Sequence, residues 1–395
     1  MAGWSHRHTV LSVTVSAFFC TMSARVVISP LVPEIIESFA VSKAVVGLAL
    51  TGMWAVFALL QFPAGVLGER FGERAVVLAA LAFTAGGSLL VAVSPSFPAF
   101  AATVLVVGVG AGLFMPAAAS LLTKLFAETG RALGVNSIGA PLGGLVAPVA
   151  ATALAARYGW RTAPLAVAAL TATVFALGVW RVRPTTPERP NAAMRDRFEP
   201  GVVLGLLARP PVVYTSVLAV VGFFAYQSFT SFFPTFLVQQ AGYDAGRAGT
   251  VFGATFGLAI VGAPAQGWLS DRVGRDAVLA GAFLAGAAGL LVFMTAQGPV
   301  ATATGTALLG AGISWPGVLN SRFMDLFSDA ERGAWFGLVR TGFLLVSSLG
   351  SVTTGALADA FGWAVAYGTV AALLVLAVAL IAANRLLGTE SRRPD

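Results

Sequence analysis

One loop motif occurs twice in this chain, and the repetition limits the folds it can adopt. The segment Gly65-Val-Leu-Gly-Glu-Arg-Phe-Gly-Glu-Arg74 returns as Gly267-Trp-Leu-Ser-Asp-Arg-Val-Gly-Arg-Asp276, and each copy joins two long apolar runs. Gly159-Trp160 likewise returns as Gly362-Trp363 at nearly the same offset. Such long-period similarity indicates two parallel structural repeats arranged around a shared centre.

The composition indicates that these repeats lie in a lipid bilayer. Of the 395 residues, 57% are hydrophobic and only 10% are charged. Such a chain cannot bury its apolar surface as a soluble domain, and runs of about 20 apolar residues span a bilayer as helices. We therefore predict an all-α membrane protein with twelve transmembrane helices, near 9–35, 42–69, 74–94, 97–125, 131–156, 160–182, 207–238, 245–270, 276–296, 299–323, 333–358 and 363–386.

The basic residues predict the orientation. Of the 24 lysines and arginines, only Lys43, Arg157, Arg161 and Arg247 fall in predicted loops on one side, and most others fall in loops on the other side. The positive-inside rule then places both termini in the cytoplasm of a multi-pass cell-membrane protein. The net charge of +7 therefore reports orientation in the lipid bilayer, and we expect no nucleic-acid partner.

A proline-rich and arginine-rich connector interrupts the apolar rhythm at mid-chain. It predicts a cytoplasmic linker, 184–206, between an amino-terminal six-helix bundle, 1–183, and a carboxyl-terminal one, 207–395. The single cysteine, Cys20, excludes a disulfide within the chain. No sequence pattern of a metal site, a phosphate-binding loop or a cofactor is present, so we expect neither an enzyme nor a metal or cofactor.

Twelve spans, a central linker and a G-x-L-x-(D/E)-R-x-G loop after spans 2 and 8 resemble the major facilitator superfamily over the whole chain. This resemblance implies two pseudo-symmetric six-helix bundles that rock about a central site. It also implies that Glu69 and Asp271 lie near the amino-terminal end of a helix of the opposite half, where the helix dipole favours an anion and would latch a gate. The alternative is that these loops only set the topology. The gating-loop residues are then Gly65, Glu69, Arg70 and Gly72, with Gly267, Asp271, Arg272 and Gly274 in the second copy.

The fifth span carries Gly139-Ala-Pro-Leu-Gly-Gly144, which resembles an element of the family's exporters. Small residues also allow close helix packing, which is the alternative meaning of this segment. An arginine that related exporters share in the fourth span is replaced here by Val104. The exporter hypothesis therefore has one of its two sequence elements.

Two arginines, Arg25 and Arg340, fall well inside predicted spans, whereas the carboxylates fall in loops or near span ends. A charge at the bilayer centre costs on the order of 3 kcal/mol on insertion scales, so it normally faces a cavity and a partner. Without a resident carboxylate, the missing partner is an anionic substrate, which a guanidinium can hold with two parallel hydrogen bonds. For Arg340, reaching the membrane interface or pairing with Asp325 is the alternative.

Further binding candidates follow from the repeat. The sequence offset between the two loop motifs relates Arg25 to Gln227, which lies beside Tyr226. Nearly the same offset relates Asn136 and the residue after it to Val339 and Arg340. Aromatic residues, Trp315 among them, either wall an apolar cavity or simply pack.

These observations predict a secondary or facilitative transporter of a small anion that works by alternating access, as a monomer. Coupling would use a proton or a counter-anion. The alternatives are an exporter of hydrophobic or cationic compounds, which an embedded acidic residue would support, and a non-transporting membrane sensor.

Overall fold

The computed structural model describes residues 6–189, 205, 209–327 and 334–387, and these residues are predominantly helical. Eleven of the segments are long and apolar enough to cross a membrane. A helix satisfies its own backbone amides, which explains why apolar runs in lipid adopt this structure. Most of the predicted linker, 184–206, lies outside the described residues.

The first half contains six spans, three of which consist of two helices each. Span 1 is interrupted by a 3-10 turn at Ser29–Leu31, where Pro30 removes a backbone donor. In chain order the helices are His6–Val26 and Val32–Phe39 (span 1), Lys43–Leu59 and Gln61–Phe71 (span 2), Glu73–Ala92 (span 3), Phe97–Leu125 (span 4), Thr129–Ser137 and Gly139–Tyr158 (span 5), and Thr162–Arg181 (span 6).

The second half repeats this arrangement. Its helices are Pro210–Gln239 (span 7), Ala245–Val273 (span 8), Arg275–Thr295 (span 9), Pro299–Gly312 and Pro316–Leu326 (span 10), Ala334–Ser347 and Leu349–Phe361 (span 11), and Trp363–Leu386 (span 12). The predicted continuous run 299–323 was wrong in one respect, because span 10 breaks before Pro316. Proline cannot donate the next helical hydrogen bond and its ring clashes with the preceding turn.

Glycines with positive φ mark the same turns in both halves. Gly72 (φ 86°) and Gly274 (φ 90°) follow spans 2 and 8, and Gly159 (φ 84°) and Gly362 (φ 82°) follow spans 5 and 11. Residues with a Cβ rarely adopt this conformation. The repeated glycines of the sequence therefore encode one turn geometry used twice.

The helices form two groups that meet along a few pairs. Within the first half, span 1 packs on spans 5 and 6, and span 3 packs on spans 4 and 6; in the second half, span 7 packs on spans 11 and 12, and span 9 on spans 10 and 12. Between the halves, span 2 packs along span 11 and span 5 along span 8. We call the face with the two repeated loops, 65–74 and 267–276, the motif face, and the other end of the molecule the opposite face.

Candidate functional site

Arg25 lies at the junction of the two halves. It occupies the last turn of the first helix of span 1 and is 8% exposed. Its Nε donates to the Thr21 carbonyl oxygen (3.2 Å) and its Nη2 to the Met22 sulfur (3.4 Å). Among the described residues it forms no ion pair with a carboxylate, and its Nη1 donates to no protein acceptor. A buried cation thus keeps unused donor capacity.

Aromatic rings take the place of a counter-ion around Arg25. The guanidinium carbon lies 5.2 Å from the centre of the Trp54 ring and 4.9 Å from that of Phe57, both on span 2. Tyr226 of span 7 packs edge-on against Trp54, with ring centres 6.4 Å apart, and so brings the second half to the same site. Each such cation–π contact contributes about 0.5–2 kcal/mol, which makes an unpaired guanidinium tolerable in this position.

Gln227 follows Tyr226 and is 1% exposed, with its Oε1 buried and without a hydrogen-bond partner. Ser231, one turn further along span 7, accepts a hydrogen bond from Ser29 of span 1 at its carbonyl oxygen (3.2 Å). The Ser231 side chain bonds to Ser351 of span 11, and residues four apart share a helix face, so Gln227 lies on the side of span 7 toward span 11. A buried amide oxygen without a donor is uncommon in proteins, and this one is on the residue that follows Tyr226 in the chain.

Arg340 lies on the same side of span 11 as the contact with span 2. Thr51 bonds to the Ser348 carbonyl oxygen, and a methyl group on Gly337 would lie 3.6 Å from Phe62. This antiparallel register places Arg340 about one turn, ~5 Å, closer to the motif face than the two rings beside Arg25. Arg340 is half-buried, its Nε is buried without a hydrogen-bond partner, and its guanidinium carbon lies 5.9 Å from the Phe336 ring centre.

The predicted alternative partner of Arg340 was wrong. Asp325 instead forms an ion pair with Arg275 of span 9, so its carboxylate is already engaged. In the part of the chain that the structure describes, Arg340 forms no ion pair with a carboxylate.

Two predicted binding residues lie away from the Arg25 site. Gly139 and Gly143 of span 5 pack on the backbone of Val15 and Phe19. In this register Asn136 lies about 20 Å along the axis from Arg25, toward the motif face, which corrects its assignment to the same site. Asn136 is nevertheless fully buried, and neither atom of its amide has a hydrogen-bond partner.

Trp315 packs inside the second half. Its ring lies against Gly222 and packs edge-on on Phe223 (4.8 Å between centres) and Phe283 (5.6 Å). It also lines an apolar cavity that begins at Tyr226, and so contributes both packing and a cavity wall.

Between Arg25 and the opposite face, the two halves are held together by small polar residues and a close backbone contact. We call this region, formed by Ser29, Gly47, Thr51, Ser231, Ser348 and Ser351, the seal. Ser29 of span 1 donates to the Ser231 carbonyl oxygen of span 7 (3.2 Å), and within the second half Ser231 and Ser351 share a hydrogen bond of 2.7 Å. Thr51 of span 2 donates to the Ser348 carbonyl oxygen (2.9 Å) and accepts from the Val352 amide (3.0 Å). Because Gly47 has no side chain, the backbones of spans 2 and 11 approach closely, and a methyl group there would lie 2.7 Å from the Ser351 carbonyl oxygen. The opposite face is therefore closed.

An aspartate latches this seal at its outer end. Asp359 of span 11 accepts from the backbone amides of Lys43 (3.3 Å) and Ala44 (2.7 Å) at the amino-terminal end of span 2, and from the Lys43 ammonium group (3.2 Å). An anion at a helix amino terminus is stabilised by the unpaired amides and the helix dipole. This is the latch chemistry predicted for the repeated loops, but the structure shows it here, at the opposite face. The acidic residue near the end of span 11 was the available sequence signal.

The repeated loops themselves make other contacts. Glu69 lies 3.7 Å from the Arg189 guanidinium. Asp271 lies 3.5 Å from the guanidinium of Arg275, which is four residues further along the chain in the same half. Arg70 and Arg272 are exposed and stack on their helix neighbours Phe71 and Trp268. Engagement of either carboxylate with a helix of the opposite half stays a prediction.

The four loop glycines differ in what they do. Gly72 and Gly274 have positive φ and form the turns. Gly65 and Gly267 lie within helices, and a methyl group on either would contact nothing within 4 Å. The turn geometry therefore depends on the second glycine of each motif copy.

Buried ion pairs beside both loops were missed by the sequence reasoning. Glu73 pairs with Lys124 of span 4, and Asp276 pairs with Arg322 of span 10. Glu73 directly follows the turn glycine Gly72, and Asp276 lies two residues after the turn glycine Gly274. An acidic residue at the start of one span and a basic residue near the end of the next were the available sequence signal.

The fifth-span glycines are packing residues. A methyl group on Gly143 would lie 2.6 Å from the Phe19 carbonyl oxygen, and one on Gly144 would overlap the Phe256 ring of span 8. The close packing expected from small residues is confirmed, both within the first half and between the halves.

Comparisons with known proteins agree with this architecture. A probable sulfoacetate transporter, SauU, of Cupriavidus necator is 25% identical over 387 residues, covering 90% of this chain and 88% of its own. A probable nitrate/nitrite transporter, NarK2, of Mycobacterium tuberculosis is 28% identical over 69% of this chain and 68% of its own. The hexuronate transporter of Bacillus subtilis is 23% identical over 61% of this chain and 59% of its own.

Solved structures share the fold. The crystal structure of a bacterial homolog of the human lysosomal transporter Spinster, in an inward-facing and unoccupied conformation, has a TM-score of 0.83 at 18% identity and covers 100% of both chains. A family model for the Major Facilitator Superfamily matches residues 14–323. The chain belongs to the major facilitator superfamily of membrane transporters.

Proposed function

We propose that this protein transports a small organic anion across the cell membrane by alternating access, with Arg25 as the principal anion-binding group. The observation that carries the proposal is that Arg25 is buried between the halves and forms no ion pair with any described carboxylate. Cation–π contacts stabilise a guanidinium without neutralising it. An anion entering the site would supply the missing charge and accept from the free Nη1.

The remaining groups complete an anion-binding site. Tyr226 and Gln227 come from span 7 of the second half, and Arg340 comes from span 11 about one turn away. A ligand held by both halves couples its binding to their relative position, which alternating access requires. The relatives described above are named as transporters of sulfoacetate, hexuronate and nitrate or nitrite, all of which are anions.

The structure fits one of the two access states. The contacts of span 1 with span 7 and of span 2 with span 11 close the opposite face, whereas at the motif face the first helix of span 5, Thr129–Ser137, packs on spans 1 and 4 of its own half. With the positive-inside rule assigning the motif face to the cytoplasm, this state is closed to the outside. Substrate release from Arg25 would then proceed toward the cytoplasm between the two halves.

The test is uptake into proteoliposomes with radiolabelled sulfoacetate, glucuronate and benzenesulfonate. We expect saturable uptake of at least one anion by the native protein. Both Arg25→Ala and Arg25→Lys should lose about tenfold or more of that uptake, because a charge-assisted bidentate contact contributes about 1.5–3 kcal/mol and lysine lacks the planar fork. Arg131→Ala is the matched control, since the Arg131 side chain is 82% exposed and pairs with Glu128, the residue just before its own helix.

Other outcomes identify the alternatives. Uptake that persists in both Arg25 variants contradicts the assignment of this residue. Efflux of ethidium that is insensitive to Arg25 identifies an exporter of cationic compounds, and no movement of any solute identifies a sensor. An imposed pH gradient and preloading with unlabelled anion distinguish proton coupling from exchange.

A further inference from the structure

The surroundings of Arg25 also specify what the rest of the substrate should look like. Trp54 and Phe57 stand perpendicular to each other, with ring centres 5.6 Å apart, and both face the guanidinium. On the other half Tyr226 packs edge-on against Phe223 and Phe256 (6.4 and 6.5 Å). An anionic group bound to Arg25 is thus surrounded by ring faces and edges from both halves.

The apolar character continues away from Arg25. A cavity in the second half begins at Tyr226 and has glycine, aliphatic and aromatic walls. Its lining residues are Gly222, Ala225, Tyr226, Phe229, Gly286, Leu290, Leu309, Gly312, Ile313, Trp315, Val370 and Leu374. The only polar side-chain groups among them are the Tyr226 hydroxyl and the Trp315 indole N–H, so this space suits a hydrocarbon group.

Most hydroxyl groups near the site are already engaged within the protein. Thr21 donates to the Phe18 carbonyl oxygen (3.1 Å) and Thr51 to the Ser348 carbonyl oxygen (2.9 Å). Ser231 bonds to Ser351 in the seal. In the described part of the chain this leaves the Ser23 hydroxyl, two residues before Arg25, and the Tyr226 hydroxyl and the Gln227 amide on span 7. A sugar acid needs a partner for each of its hydroxyl groups, and buried groups without partners are costly.

We propose that the substrate is a small aromatic monoanion, with its charged group on Arg25 and its ring against Trp54, Phe57 and Tyr226. This inference rests on the proposed function, because it assumes that Arg25 binds the transported anion. It selects an aryl sulfonate or aryl carboxylate over a polyhydroxylated acid. Ring stacking and edge-to-face contacts supply the preference, since the anionic group alone would be common to all candidates.

The experiment compares three labelled anions in proteoliposomes at equal concentration. Benzenesulfonate carries the ring, methanesulfonate carries the same charged group without it, and glucuronate carries hydroxyl groups. The sulfonates stay ionised at neutral pH and so cross lipid slowly without the protein. We expect kcat/KM for benzenesulfonate to exceed the values for the other two by about tenfold or more.

Variants test the aromatic wall directly. Trp54→Leu and Tyr226→Leu should each lower the ratio of benzenesulfonate to methanesulfonate uptake by about fivefold. Trp54→Phe keeps an aromatic ring at position 54 and should retain most of the native ratio. Trp180→Leu is the control, because Trp180 is also stacked on an arginine, Arg181, but lies exposed at the surface. The ratio is read within each preparation, so a lower yield of folded protein does not affect it.

The outcomes separate the two proposals. Arg25-dependent uptake in which methanesulfonate or glucuronate equals benzenesulfonate overturns the aromatic substrate and leaves the anion transporter intact. An unchanged ratio in Trp54→Leu and Tyr226→Leu also overturns it. No Arg25-dependent uptake of any of the three overturns both.

Discussion

Neutralising Asp359 should open the opposite face. In Asp359→Asn the side chain keeps its size and one acceptor oxygen, but loses the charge that three donors now share: the amides of Lys43 and Ala44 and the Lys43 ammonium group. The contact exists only when spans 2 and 11 are together. Its loss therefore destabilises the closed state of this face relative to the open state.

The expected size follows from two contributions. A carboxylate at a helix amino terminus contributes about 0.3–1 kcal/mol, and up to ~2 kcal/mol when partly buried. The ion pair with Lys43 adds about 0.2–1 kcal/mol, the range for pairs that solvent can reach, because the Asp359 side chain is 28% exposed and the Lys43 side chain 23%. A combined loss of about 1–2 kcal/mol raises the open-to-closed ratio by about 5- to 30-fold.

Cysteine alkylation measures this ratio. The chain has one cysteine, Cys20, which is buried, so a Cys20→Ala background carrying Ser231→Cys reports from the middle of the seal. A membrane-impermeant thiol reagent added at the opposite face reacts only when the seal opens. The alkylation rate in Asp359→Asn should rise by the same factor as the open population.

Asp244→Asn is the matched control. Asp244 also caps a helix at this face, accepting from the Arg247 amide (2.9 Å), but that helix belongs to its own half. Its loss should affect local stability and leave the alkylation rate unchanged. A rate in Asp359→Asn within twofold of the parent, or an equal rise in Asp244→Asn, would refute the latch.

Three further changes test the packing and the ion pairs. Gly47→Val should hold the opposite face open, because spans 2 and 11 touch at this glycine, and should therefore raise the same alkylation rate. Gly65→Val is the control, because Gly65 has open space around it and its substitution should leave the rate unchanged. Asp276→Ala removes the buried carboxylate beside Arg322 and should cost about 3–5 kcal/mol of stability, seen as a lower thermal unfolding temperature. Adding Arg322→Met to this variant should partly restore that temperature, because it removes the unpaired charge. Gly72→Ala forces a Cβ into a positive φ and should cost about 1–2 kcal/mol in the same assay; an unchanged unfolding temperature contradicts the turn.

The fold could be predicted because its determinants are local in sequence. Apolar runs of span length and the repeated turn glycines, such as Gly72 and Gly274, recur at fixed offsets, and lipid permits few alternatives to helices. The break in span 10 was missed because a hydropathy average does not register a single proline, Pro316, within an apolar run.

The site was predictable only in part. Arg25 and Tyr226 could be identified because an arginine within a span needs an explanation and the repeat supplies its counterpart. The position of Asn136 could not, because the repeat does not give the register in which span 5 packs on span 1. The contact between Asp359 and span 2 joins residues far apart in sequence, and only the packing of span 11 on span 2 brings them together.

The interruption of span 10 affects how the second half can move. Where the helix stops, Gln266 of span 8 donates to the Ala311 carbonyl oxygen (2.7 Å) and Ser314 donates to that of Gly310 (2.7 Å). Backbone oxygens that lipid could not hydrate therefore have side-chain partners before any motion begins. We therefore expect the segment Pro316–Leu326 to change its angle to Pro299–Gly312 at a lower cost than an unbroken helix would require.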